Sequence, residues 1–153
     1  MTTPPRSHRL EIQVRFGDTD AMGHLNNTSF ASYAESGRLA FVGTFGEEVR
    51  SLILAHLAID FRRQVRFGET VVVETQVERI GRSSLTLHQR VLADGTLAAD
   101  IRSVVVYFDY ARAESLAIPD ALRALLASYL VSGGTAQERC PLASRHTACG
   151  PRE

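Results

Sequence analysis

The run Arg15-Phe16-Gly17-Asp18-Thr19-Asp20-Ala21-Met22-Gly23-His24-Leu25-Asn26-Asn27 gathers two carboxylates, an imidazole and two carboxamides between Asp18 and Asn27. Three chemistries suit it. Asp, Asn and Thr cap helices and Gly turns the chain, so the run can be purely structural. Asp18, Asp20 and His24 together offer oxygen and nitrogen ligands to a divalent cation. A carboxylate and an imidazole at the start of a helix can also move protons beside developing negative charge, which the positive end of the helix dipole favours.

What the chain lacks narrows the field. All 17 basic residues are Arg, which removes lysine Schiff bases and the P-loop lysine, and 17 acidic residues balance them, so no bulk positive field exists to hold nucleic acid. There is no GxSxG nucleophile elbow and no GxGxxG dinucleotide loop. Cys140 and Cys149 have neither redox nor zinc-ligand spacing, and no metal site is expected, Cys140, His146 and Cys149 reading as incidental. No apolar run approaches the roughly 18 residues of a membrane span, and Met1-Thr2-Thr3-Pro4-Pro5 opens no signal-peptide core, so a cytoplasmic protein without membrane partners is expected.

The elements that must position the run can be read from periodicity. At 153 residues, 44% hydrophobic and 22% charged, the chain suits one domain with a buried core. Arg9 to Arg15 alternates as a short strand that delivers the loop. From Thr28, the residues Phe30, Tyr33, Ala34, Gly37, Ala40 and Phe41 recur at helical spacing, with Ser29, Glu35 and Arg38 off that stripe. Ala34 and Gly37 are small, which predicts close approach of a sheet backbone. The period then changes to two: Leu57 to Phe61, Val71 to Glu78, Leu85 to Val91 and Leu97 to about Tyr110, with turns at Phe67-Gly68-Glu69, Gly81-Arg82 and Asp94-Gly95. The unbroken Val104-Val105-Val106 suggests a strand covered on both faces. Pro119 and Asp120 open a second amphipathic helix through Tyr129. The domain is expected over 1–132, and 133–153 reads as a flexible tail. No internal repeat is apparent. One long helix followed by consecutive antiparallel strands predicts an α+β fold, the helix wrapped by a curved sheet of five or six strands, with a dimer covering the remaining face.

Asp18-x-Asp20-x-x-Gly23-His24-x-Asn26-Asn27, followed by Tyr33, Glu35 and Arg38, resembles the hotdog-fold acyl-CoA thioesterases of the 4-hydroxybenzoyl-CoA thioesterase type. The likeness runs from about Val14 to Tyr129. It implies a hotdog fold, a homodimer or homotetramer with active sites at the subunit interface, and hydrolysis of an acyl-CoA to a free acid. No metal or cofactor is implied, coenzyme A being part of the substrate. The second Asp of the motif is catalytic in such enzymes, which here is Asp20, as general base to water or as direct nucleophile through an anhydride. The resemblance also places an amide near Asn27 or Thr28 against the thioester oxygen, as an oxyanion hole.

His24 reads either as a partner to the carbonyl or to Asp20, or as a structural loop residue. One of Asn26 and Asn27 is expected to cap the helix, and Asp18 to be a structural turn residue. Tyr33 and Glu35 follow on the helix and, with Asn26, are expected to contact substrate, Glu35 in a supporting role and within reach of Arg38 at i+3. The phosphates of coenzyme A require Arg or backbone amides, and the turn carrying Arg79, Gly81, Arg82 and Ser83 occupies the place where related proteins bind pantetheine and nucleotide; Arg62, Arg63 and Arg66 form a second basic cluster. The competing reading, from another class, is a hotdog module that binds acyl-CoA without cleaving it, as a sensor or carrier.

Overall fold

Alternation of inward apolar and outward polar residues builds one sheet. In the computed structural model, which describes residues 5–46 and 51–131, Val71, Val73, Thr75 and Val77 are buried on one strand, and Leu85, Leu87, Gln89 and Val91 on the next. The elements are β1 (His8–Gln13), a 3-10 turn (Phe16–Asp18), α1 (Asn27–Gly43), β2 (Leu52–Phe61), β3 (Thr70–Ile80), β4 (Ser84–Ala93), β5 (Thr96–Asp109), β6 (Glu114–Ser115) and α2 (Asp120–Ala127). The antiparallel sheet has the order β1-β3-β4-β5-β2, with β6 paired to β5. The tail expected over 133–153, with Cys140, His146 and Cys149, lies outside the described residues. Among the described residues no helix is long and apolar enough to cross a membrane.

Helix α1 packs on the inner face. Phe30, Tyr33, Ala34, Gly37 and Phe41 are buried as their spacing requires, and Ser29 and Arg38 join them. Arg38 departs from the sequence expectation because position 38 follows Ala34 by four and precedes Phe41 by three, so the backbone places it on the buried stripe whatever its charge. The close approach predicted at Gly37 is present: a Cβ there would stand 2.6 Å from Val73 Cγ1 and 2.9 Å from Gln89 Nε2. Gln89 Nε2 donates to the Ala34 carbonyl at 3.0 Å and to Thr75 Oγ1 at 3.1 Å, joining helix and sheet through buried polar groups.

The outer face is polar. Arg9 and Arg90 both pair with Glu74, Arg102 pairs with Glu78, and His88 pairs with Asp100. In the valine run of β5, Val105 is buried, while Val104 and Val106 are half-buried within one chain. Strand β2 is one edge of the sheet, ten residues long. It begins five residues before the alternation from Leu57 suggests, because Leu52, Ile53 and Leu54 interrupt the period and a bulge separates Leu54 from His56. Pro119 stands just outside α2 as its N-cap, with Asp120 the first helical residue.

Candidate active site

The loop between β1 and α1 closes on itself as a small ladder. Asn26 N–H donates to the Asp18 carbonyl at 2.8 Å, Thr19 bridges Leu25, and Asp20 N–H donates to the His24 carbonyl at 2.7 Å. Gly23 makes the turn with φ of +79°, a conformation that costs a glycine little. The loop is held to the segment before β3 by Leu25 N–H on the Val65 carbonyl at 2.7 Å and by a bridge between His24 and Arg66. Leu25 and Val65 are buried beneath it.

The two carboxylates divide their tasks. Asp18 is buried and accepts from Arg15 N–H at 3.0 Å, from the Arg15 guanidinium at 3.2 and 3.0 Å, and from the Tyr33 hydroxyl at 2.8 Å. The Arg15 side chain, first among these, pulls its carboxyl down to about 2. Burial and the Asp18 charge push the Tyr33 phenol far above its ordinary value. Asp18 is thus the structural residue the motif suggests, and its engagement removes the cation site considered for Asp18, Asp20 and His24. Tyr33, a candidate substrate contact, instead anchors the loop. Asp20 is exposed, and its Oδ1 accepts the amides of Met22 at 2.8 Å and His24 at 3.1 Å. That arrangement fixes the carboxylate and leaves Oδ2 without a hydrogen bond among the described residues.

Asn26 is the helix cap, its side chain accepting from Thr28 N–H at 3.0 Å and Thr28 Oγ1 at 2.9 Å. Thr28 N–H is therefore committed to the cap, and Ser29 N–H to the Asn26 carbonyl. Asn27, the first helical residue, carries the amide of this turn that neither bond consumes. Of the two positions considered for an oxyanion donor, the geometry favours Asn27. His24 is half-buried and its backbone, not its ring, makes the contacts described above.

Glu35 is exposed at the rim of a cavity of about 430 Å³ between the second half of α1 and the start of β2. The expected pair with Arg38 is not an ion pair within 4.0 Å among the described residues; Glu35 acts on Arg38 through its field. Phe30 and Phe41 are core residues, and the cavity is lined by Leu39, Val42, Leu52 and Leu54 among others.

Arg79, Gly81, Arg82 and Ser83 do not join the loop within one chain. Their turn follows Ile80, whereas β1 delivers the loop at the Thr70 end of β3, since Gln13 pairs with Thr70. The ten steps from Thr70 to Ile80 span about 33 Å. The turn is tied to the C-terminal segment: Gly81 and Arg82 carbonyls accept from Arg123 Nη2 and Ile118 N–H at 2.9 and 2.8 Å, and the Ser83 carbonyl accepts from Tyr107 N–H at 2.8 Å. The basic cluster beside Asp20 is the other one, because Arg66 bridges His24.

The sequence held an unread signal for that neighbourhood. Val14-Arg15-Phe16-Gly17-Asp18-Thr19 recurs as Val65-Arg66-Phe67-Gly68-Glu69-Thr70, against the expectation of no repeat. The structure sets the two copies together, with Phe16 and Phe67 in an edge contact at 6.4 Å and both rings exposed. In each copy the acidic residue accepts the backbone N–H of the Arg three positions before it.

Comparison with known proteins gives this geometry a family. The profile described as "Thioesterase-like superfamily" matches residues 14–126. A 1,4-dihydroxy-2-naphthoyl-CoA hydrolase from Synechococcus sp. (strain WH7803) is 29% identical over 80% of this chain and 90% of its own. Another curated relative is matched over only 56% of its length. Among solved structures, a predicted thioesterase from Bacillus stearothermophilus superposes with TM-score 0.77 at 29% identity, over 84% of this chain and 100% of that one. A thioesterase from Thermus thermophilus, complexed with coenzyme A and Zn, gives 0.74 at 29%, over 79% and 92%. With the strand order, the wrapped helix and the acidic loop at its start, these matches show a hotdog fold, and the chain belongs to the thioesterase-like superfamily.

Proposed function

We propose that the protein hydrolyses acyl-CoA thioesters, with Asp20 as the catalytic carboxylate and the start of α1 as the oxyanion hole. The observation that carries this reading is the fixed, solvent-facing Asp20 in a loop whose ladder ends at the uncommitted amide of Asn27. The complex of a Thermus relative with coenzyme A and the naphthoyl-CoA hydrolase activity named for a Synechococcus relative support the substrate class.

In the general-base route Asp20 Oδ2 takes a proton from water, whose oxygen attacks the thioester carbon. In the nucleophilic route Oδ2 attacks directly and water cleaves the resulting anhydride. Either way the carbonyl oxygen gains charge facing the Asn27 N–H and the positive end of the helix, and CoA leaves as a thiolate that takes up a proton. Removal of a general base costs typically 10²- to 10⁴-fold. His24 holds Asp20 through its backbone, and Asn26 sets the helix start by consuming Thr28.

The functional unit is a dimer formed along the β2 edge. Among the described residues that strand's outer edge pairs with no other strand, and Leu54 and Phe61 are exposed, features that invite a second strand. Antiparallel pairing of β2 with its copy puts the Phe61 end of one chain beside the Leu52 end of the other. Phe61 contacts Phe30 at 5.3 Å in the first turn of α1, so the pairing carries one chain's loop to the mouth of the other's cavity, where Glu35 stands. It also returns the copy's Arg79–Ser83 turn to the loop's end of the sheet, where Arg79, Arg82 and Ser83 can meet phosphate; the Gly81 amide is spent on the Ser84 carbonyl, and Arg62 and Arg66 supply charge from the loop's own chain.

The test is thiol release from short-, medium-, long-chain and aromatic acyl-CoAs by wild type and Asp20→Asn. Release that falls at least 10²-fold in the variant, with the fold retained by circular dichroism, is the expected outcome. An equally active Asp20→Asn overturns the role of Asp20. Binding without release across the panel replaces the enzyme with an acyl-CoA sensor or carrier.

A further inference from the structure

Arg38 is buried, with only 7% of its surface exposed, yet it has no carboxylate within 4.0 Å among the described residues. Its single hydrogen bond among the described residues is a long one, Nη1 to Gln89 Oε1 at 3.5 Å. A guanidinium carries five donors in a rigid fork, and among the described residues no Arg38 nitrogen is both sealed from solvent and unbonded, so its unspent donors open on a cavity. Gln89 is held in place by its Nε2, which donates to the Ala34 carbonyl and to Thr75 Oγ1, so Oε1 is the one atom it offers to Arg38. The same Arg38 side chain lines the 430 Å³ cavity, whose other walls include Leu39, Val42, Leu52, Leu54 and Leu87. An apolar hollow with one charged fork in its wall is built for a mostly apolar ligand that carries an oxygen at a defined place.

We infer that Arg38 is a specificity-determining residue that reads an oxygen acceptor, a carboxylate or a hydroxyl, on the acyl group of the substrate. The inference rests on the proposed hydrolysis and its β2 dimer, which brings the thioester of one chain to the mouth of the other chain's cavity. The two sources of oxygen are separable. A carboxylate takes the fork bidentately and gains from Arg38 while losing to the field of Glu35 at the rim; a hydroxyl accepts from Arg38 and feels Glu35 far less.

The experiment compares kcat/KM, by thiol release, within matched pairs: adipoyl-CoA (mono-thioester) against hexanoyl-CoA, and 4-hydroxybenzoyl-CoA against benzoyl-CoA. The expected result is a preference of about 10- to 100-fold for the oxygenated member of at least one pair, which identifies the source. That ratio falls to near one in Arg38→Met and is partly kept in Arg38→Lys, which retains charge without the fork. Wild type indifferent within both pairs, or a ratio that persists in Arg38→Met, overturns the inference and leaves Arg38 as a structural partner of Gln89. If Arg38→Met does not fold, Arg38→Lys and the wild-type ratios still decide. Absence of thiol release from every substrate is the failure of the proposed hydrolysis instead. The same pairs are then compared by calorimetric Kd, where equal affinities overturn the role of Arg38 and a 10-fold preference sustains it.

Discussion

Replacement of Asp18 by Asn isolates the energetics of the loop from its chemistry. Asn with its oxygen in the place of Oδ2 keeps the acceptor for the Tyr33 hydroxyl, the Arg15 N–H and Arg15 Nε but removes the charge. The carboxyl falls from 3.8 to about 2 in the folded protein, chiefly through the Arg15 guanidinium. That drop corresponds to about 2.4 kcal/mol if fully expressed. The Arg15 side chain is 78% exposed, so solvent screens the pair and about 1 kcal/mol survives. A carboxyl held low in the folded state adds stability that is complete above its unfolded value and disappears as pH falls toward the folded one, so the window runs from about pH 5 down to pH 2. Urea unfolding of wild type and Asp18→Asn at pH 7, 5, 4, 3 and 2 reads the difference directly. It should be about 1 kcal/mol at pH 7 and 5 and shrink to near zero by pH 2. Glu69, whose carboxyl is also held low by Arg63, contributes equally to both proteins and cancels. A difference that is absent at pH 7, or that does not change with pH, refutes the assignment of Asp18 as a charged anchor.

Gly37→Ala should lose about 1 to 3 kcal/mol in the same unfolding assay, because its Cβ must displace Val73 or Gln89. Asn26→Ala should cost about 1 kcal/mol as a lost cap, and should raise the acyl-CoA KM less than it lowers kcat, since it disturbs the amides that meet the transition state. Phe16→Ser and Phe67→Ser remove exposed rings and should leave thermal stability within about 0.5 kcal/mol while raising KM for acyl-CoA; unchanged KM would show the pair to be idle. Sedimentation equilibrium at micromolar concentration should report twice the 16.8 kDa chain mass or a multiple of it, and a monomer that still releases thiol refutes the shared site.

Much of this architecture is written in periodicity. The three-four spacing from Phe30 to Phe41 and the alternation through β3 and β4 are dictated by burial on one face, and both appear where the pattern puts them. The loop motif located Asp18, Asp20, His24 and Asn26 because capping and turn chemistry are local. Arg38 escaped because residue type argued for the surface while its position argued for the core, and position won. Arg79 to Ser83 lie the length of β3 away from the loop within one chain, a distance that only the register supplies. Leu52 to Leu54 hid the start of β2, since three consecutive apolar residues and a bulge carry no period.

The duplicated hexapeptide explains how the loop between β1 and α1 is ordered without engaging both oxygens of Asp20. In both copies the acid three residues beyond Arg closes on that residue's backbone N–H, so each copy is held by a local contact of its own. The copies are then joined by backbone groups, Leu25 N–H on the Val65 carbonyl and His24 bridging Arg66, over the buried side chains of Val14, Leu25 and Val65. Order is therefore supplied by Asp18, Glu69 and main-chain hydrogen bonds. Asp20 sits inside this frame with one oxygen tied to its own turn and the other unspent, which is the condition a catalytic carboxylate requires: a fixed position with a lone pair still available for a proton or a carbon. The division of labour also assigns opposite outcomes to the two aspartates. Loss of the Asp18 charge should be read chiefly in stability, and loss of the Asp20 charge chiefly in turnover.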